Sequence, residues 1–174
     1  MVATAISFAE FKSSHADSDD SSGFIQLSVK WDLLEELIAS GLARTETLFH
    51  VDRESIPTNL YAPWYLNAEN AFCDWSDLTS RPIALNAAPY EWFQFLPAER
   101  QSKILDIMNS DMVNFVITTI VVNDYIILLD GNHRMSSVLV SNLPLRGIIT
   151  EHRLYAPVNI LDSIAKAQER VFPK

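Results

Sequence analysis

Residues 115–130 read FVITTIVV-ND-YIILLD, and residues 131–142 continue GNHRMSSVLVSN. Two apolar runs rich in β-branched residues fit strands better than helices. The Asn123-Asp124 pair between them suits a two-residue hairpin turn, because both residues tolerate positive φ. The second run then stops at an acid and a glycine, and a helix-compatible stretch begins. Met135, Val138 and Leu139 would form its inner face, with Asn142 and Pro144 as the stop. A hairpin feeding directly into a helix admits few folds, so the rest of the chain is read around it.

Before this unit, RPIALN (81–86) is a short strand and APYEWFQF a connection. LPAERQSKILDIMNS is a helix, with Pro97 in its first turn, Glu99 near its positive end, and Ile104, Leu105, Ile107 and Met108 as the buried stripe. After it, LRGIIT (145–150) is a strand, and NILDSIAKAQERVF (159–172) a closing amphipathic helix with Ile160, Leu161, Ile164 and Val171 inward. The order from residue 82 is strand, helix, hairpin, helix, strand, helix. That is an α+β domain with a small mixed β-sheet flanked by helices. Residues 81–174 form the expected core.

Residues 1–80 form the expected N-terminal extension packed on that core. SSHADSDDSSG (13–23) reads as a solvated loop. FIQLSV (24–29) alternates as a half-buried strand. WDLLEELIASGL carries the stripe Leu33, Leu34, Leu37 and Ile38, and Gly41 sits where the helix would end. Residues 45–80 hold Pro57, Pro63, Trp64, Tyr65, Phe72 and Trp75 with little periodicity, and read as irregular with one short helix.

The charge balance bears on partners. The formal net charge is −9, and the thirteen Lys and Arg are scattered. Nucleic-acid binding rests on cations that displace counterions, so a nucleic-acid partner is not expected. No apolar run nears the roughly 18 residues of a membrane span. The N-terminus lacks the basic start and apolar core of a signal peptide. The single cysteine, Cys73, excludes an intramolecular disulfide and cysteine-rich zinc sites. A soluble protein of the reducing cytoplasm is expected. Cys73 reads as a buried small hydrophobe, His152 as a surface residue, and His15 and His50 as lacking partners.

The segment DGNHR (130–134) carries the chemistry. A helix that opens there offers unpaired N–H groups and a partial positive charge, a ready anion site. Gly131 lets the backbone turn sharply and a ligand approach closely. Arg134 can grip phosphate oxygens bidentately. His133 supplies a hydrogen bond or a pH-dependent charge, and Asn132 can cap the helix. Asp130 makes sense beside an anion if it holds Arg134, binds a ribose hydroxyl, or receives Mg²⁺ carried by phosphates. The same letters also suit an ordinary Asp-Gly turn, with Arg134 on a surface acid and His133 as a capping residue.

With its flanking elements, the motif resembles the ParB/sulfiredoxin-like superfamily over about residues 82–152. PIALNAAPYEWFQF, ERQSKILDIM, YIILLDGNHRMSSVLV and LPLRGIITE are similar to its first strand and connection, preceding helix, signature strand–turn–helix and following strand. The resemblance implies a turn that binds nucleotide phosphates through Gly131, Asn132, His133, Arg134, Met135 and Ser136. Sulfiredoxins carry a catalytic cysteine directly before the His-Arg pair. Asn132 stands there, which argues against sulfinic-acid reduction. The chromosome-partitioning branch binds CTP and has Gly-Glu-Arg-Arg there; His133 departs from that pattern, and the acidic charge argues against a DNA clamp. The free-serine kinase branch, with Asp-Gly-His-His-Arg, and the DGQHR-type proteins of DNA-modification systems are nearest in motif.

The kinase branch implies an ATP- or ADP-dependent phosphotransferase, or a related nucleotide hydrolase, acting with Mg²⁺ on a small-molecule acceptor. Its catalytic residues would be Glu91 as base, Asp130 on Arg134 or the metal, and His133, with Glu99 as a substitute base. Trp64, Tyr65, Tyr90 and Trp92 would close the acceptor pocket. The alternatives are a catalytically weak nucleotide-binding regulator, with a protein partner docked on the N-terminal region, and a ParB-like DNA-associated module.

Overall fold

The computed structural model describes residues 4–16, 30–73, 77–110, 113–122, 124–157 and 160. Eight strands form one mixed sheet. They are β1 (Thr4–Ala5), β2 (Arg44–His50), β3 (Leu60–Leu66), β4 (Phe72–Cys73), β5 (Arg81–Ala84), β6 (Phe115–Val122), β7 (Tyr125–Asp130) and β8 (Ile149–Tyr155). The order across the sheet is β1-β2-β8-β6-β7-β3-β4, with β5 also paired to β3. β6 and β7 are an antiparallel hairpin closed between Val122 and Tyr125. β8 returns parallel to β6, and β3 runs parallel to β7.

Helices cover both faces. They are α1 (Phe8–Ala16), α2 (Trp31–Ala39), α3 (Pro89–Phe93), α4 (Ala98–Met108) and α5 (Asn132–Ser141). Successive residues of a strand point to opposite faces, and β7 divides its side chains accordingly. Ile126 and Leu128 join the core that holds Trp92, Ile104, Met135 and Leu139 of α3, α4 and α5. Ile127 and Leu129 join the core that holds Phe11 of α1 and Leu34 of α2. A hydrophobic run exposed on neither side is what a central strand between two helical layers requires.

The α+β class and the hairpin-to-helix unit stand as the sequence predicts. The sheet is larger than expected, because residues 45–80 are not irregular. They supply β2, β3, β4 and a 3₁₀ turn (Arg53–Ser55). β3 was hidden by Pro63, which breaks a strand pattern. The register against β5 shifts between Ala62 and Tyr65, and this irregularity accommodates the proline. β2 was hidden because Thr47 and His50 point inward and Phe49 outward, the reverse of an apolar alternation.

Other expectations change in detail. Residues 13–16 belong to α1, whose start is a reciprocal capping box: Ser7 N donates to Glu10 and Glu10 N to Ser7 Oγ. The connection 88–95 contains the short helix α3. Pro97 is the N-cap of α4, and Leu105 lies 43% exposed instead of joining the buried stripe. β8 begins at Ile149 and runs through EHRLY, later than LRGIIT. The strand expected at 24–29 lies outside the described residues, and so does the closing helix at 159–172 apart from the buried Ile160. Among the described residues, no helix is long and apolar enough to cross a membrane.

Candidate functional site at the start of α5

The turn is held by three local devices. The register of β7 against β6 slips by one residue, so that Thr119 faces Leu128 and Thr118 faces Asp130. Such bulges re-aim the residues that follow. Gly131 then takes φ 85°, in the left-handed region. It also packs so closely that a Cβ would meet Cγ2 of Ile117 at 2.6 Å. Only glycine satisfies both conditions. Asp130, buried at the strand end, accepts from Gly131 N at 2.6 Å and from Arg134 Nη2 at 3.0 Å. Asp130 thus holds Arg134, one of the three roles open to it.

Asn132 opens the helix, and its side chain makes no cap. Helix geometry leaves the N–H groups of Asn132, His133 and Arg134 unpaired, and the first helical bond runs from Met135 N to Gly131 O. Three side-chain atoms of this turn are buried without a hydrogen-bond partner: Asn132 Oδ1, His133 Nε2 and Ser136 Oγ. Ser136 is 0% exposed. A buried polar atom left unpaired costs about 1–3 kcal/mol, so native structures rarely leave three together. Met135 is a core residue of α5, not a ligand-facing one.

Cations gather at this end of the helix. The His133 ring lies 5.2 Å from the Trp64 ring. The Arg100 guanidinium of α4 lies 4.9 Å from the same ring and 5.3 Å from Phe72. Burial, and then the charges of Arg100 and Lys103, push the His133 pKa down. His133 therefore favours its neutral form until a negative charge arrives. Arg100 and Lys103 were not expected from the sequence. They come from another helix, and nothing in ERQSKILDIM says which of its residues lie over Trp64.

Glu91 stands elsewhere. It is exposed and lines a cleft of about 460 Å³ with Asn70, Arg81, Gln94, Trp92 and Phe95, and no residue of 130–136 lines that cleft. Glu99 is likewise exposed and pairs with Lys103. Of the aromatics expected around an acceptor, Trp64 packs on His133 of the turn. Tyr65 packs in the other core. Tyr90 is exposed, and the buried Trp92 donates to Leu85 O at 3.1 Å. Among the described residues, no group of three or more His, Cys, Asp and Glu is placed to hold a metal.

A second polar cluster lies on the same face of the sheet. Glu151, 1% exposed, is opposite Ile117 in the β6–β8 register. It accepts from Thr119 Oγ1 at 2.5 Å, from Arg153 Nε at 2.6 Å and from Arg153 Nη2 at 2.8 Å, and lies 2.7 Å from His50 Nε2. Burial alone would raise its pKa, but the bonds from His50, Arg153 and Thr119 outweigh this and hold it at about 2. His50 is thus partnered, with Nδ1 also 2.9 Å from Ser55 O. His152 is buried rather than at the surface and lies 3.0 Å from Thr47 Oγ1. Cys73 is half-buried against the second core.

No family model, curated protein or solved structure matches the chain. What can be read of function therefore comes from the turn at residues 130–136 and the side chains packed around it.

Proposed function

We propose that this chain is a nucleotide-binding protein that holds phosphates at the start of α5. The observation that carries this reading is the gathering of unspent polar capacity there. Unpaired first-turn N–H groups, the Arg134 fork held by Asp130, and the orphaned His133 Nε2 and Ser136 Oγ lie together at the start of α5 in an otherwise acidic chain. Phosphate oxygens would accept from the N–H groups, from Arg134 and from Ser136 Oγ. The similarity of DGNHR and its flanks to ParB/sulfiredoxin-like proteins supports the same ligand class.

On the fuller version of this reading, the protein is an ATP- or ADP-dependent phosphotransferase or a nucleotide hydrolase. Such reactions depend on positioning and charge neutralisation more than on covalent help. Mg²⁺ arriving with the phosphates would neutralise their charge. Asp130 is the carboxylate of the turn that could meet it, and each of its oxygens keeps a lone pair beyond its present bond. Glu91 would take the proton of an acceptor hydroxyl bound in the 460 Å³ cleft.

The position of Glu91, on a cleft walled by other residues than the turn's, favours a second reading: a nucleotide-binding regulator with little chemistry of its own. A melting experiment tests what the two readings share. With Mg²⁺ present, at least one of ATP, ADP, CTP and GTP should raise the melting temperature as its concentration passes Kd. If none does, both readings fail. Turnover lost in Glu91→Ala with binding retained then selects the enzyme; unchanged turnover removes Glu91 as the base.

A further inference from the structure

Among the described residues, Arg100 is a cation without a hydrogen-bond acceptor. It is half-buried, its guanidinium faces Trp64 and Phe72, and among the described residues no carboxylate or carbonyl accepts from its side chain. Elsewhere the described half-buried arginines do find acceptors: Arg134 on Asp130, Arg153 on Glu151 and Arg53 on Leu139 O. Stacking satisfies the faces of a guanidinium but leaves its in-plane N–H donors free. Burial lowers the pKa of Arg100, and the neighbouring charge of Glu99 opposes this only in part.

Its place is as telling as its state. Arg100 and His133 both pack on the Trp64 ring, at 4.9 Å and 5.2 Å. The guanidinium therefore stands within a short reach of the first turn of α5. Lys103, one helical turn further along α4, is close enough to act on the His133 charge. An anion gripped by Arg134 and the first-turn N–H groups would have room for only part of its charge there. A further phosphate in the same chain would meet Arg100.

We propose that Arg100, assisted by Lys103, is the second half of the phosphate site and makes it selective for nucleoside di- and triphosphates over monophosphates. This rests on the phosphate reading of the α5 turn. Arg134 and the helix start hold one phosphate, and Arg100 holds the next, its guanidinium held against the two aromatic rings. Preorganised in this way, Arg100 loses little side-chain freedom when a ligand arrives.

Calorimetric titration with ADP, AMP and inorganic tripolyphosphate tests the proposal. The proteins are the full chain and its Arg100→Gln and Arg100→Lys variants. Gln keeps part of the stem and a planar head over Trp64 without the charge, and melting curves confirm that each variant folds. The unmodified protein should bind ADP at least about tenfold more tightly than AMP, the scale of one charge-assisted hydrogen-bond pair. Arg100→Gln should bring that ratio below about threefold and weaken tripolyphosphate in parallel, with AMP little changed. Arg100→Lys should fall between, since it keeps charge but not the fork. Equal binding of ADP and AMP by the unmodified protein overturns the proposal. So does an unchanged ratio in Arg100→Gln, which would reduce Arg100 to a packing residue on Trp64. Failure of the unmodified protein to bind any of the three is a different result, because it removes the phosphate reading itself.

Discussion

The Cα of Gly131 lies so close to Ile117 that a methyl group added to it would stand 2.6 Å from Cγ2. The same residue has φ 85°. Gly131→Ala should therefore destabilise the protein by about 2–4 kcal/mol, combining left-handed strain with overpacking. Urea melts would measure it. In the Ile117→Ala background the 2.6 Å clash with Cγ2 is gone, leaving the strain and the milder contact with the residue 117 Cβ at 3.2 Å. The cost of Gly131→Ala should then fall to about 1–2 kcal/mol. An equal cost in both backgrounds would mean that Ile117 does not shape the turn.

Arg134 is joined to Asp130 and, on the proposed function, also to phosphate, and the two roles separate by substitution. Arg134→Gln keeps a donor for Asp130 but no charge and no fork. It should cost about 1 kcal/mol of stability and at least about tenfold in nucleotide affinity. Asp130→Asn should weaken nucleotide binding less than Arg134→Gln does, because it loosens the Arg134 grip without removing it. Titration calorimetry on the two variants gives the order directly.

The buried Glu151 should make the protein's stability depend on pH in the acid range. Its carboxyl titrates near 4.5 unfolded and at about 2 folded. A depressed pKa contributes stability that is fully present above pH 4.5 and is lost as pH falls through 2. The difference corresponds to about 3 kcal/mol. Glu151→Gln should lower stability at neutral pH, and its stability should fall less steeply than the parent's between pH 4.5 and 2. Chemical denaturation across that range checks the sign and the size.

His133 gives the opposite kind of signal on ligand binding. Burial and the neighbouring cations lower its pKa. Its neutral form therefore stabilises the fold fully above about pH 6.5, and this is lost as pH falls through the lower folded value. A phosphate beside the ring should reverse the shift. NMR titration of His133 should show a pKa that rises when nucleotide is added, with proton uptake on binding below neutral pH. A pKa unmoved by saturating nucleotide would place the ligand elsewhere.

The hairpin, the turn and α5 were legible because local chemistry decides them. β-Branched runs make β6 and β7, Asp130-Gly131 ends the strand, and Asn142 takes the left-handed conformation that stops the helix. β2 and β3 were not legible, for reasons that lie outside any local window. His50 points inward because Glu151, about a hundred residues later, receives it. Pro63 is tolerated because the pairing with β5 slips around it. The turn was legible from its letters and flanking elements, whereas Arg100 joins it only through the packing of α4 on α5 and its contact with Trp64 of β3. Glu91 follows the first sheet strand of the expected core, yet the short helix α3 turns it into a separate cleft.

Amide chemical shifts during an ATP titration in the presence of Mg²⁺ test the phosphate site most directly. Hydrogen bonds from a helix start to phosphate move the donating N–H resonances. The largest shifts should fall on Asn132, His133 and Arg134, accompanied by the Arg100 side chain and the Trp64 indole. Saturable binding whose shifts cluster away from α5, or no shift at millimolar ATP, would contradict the account.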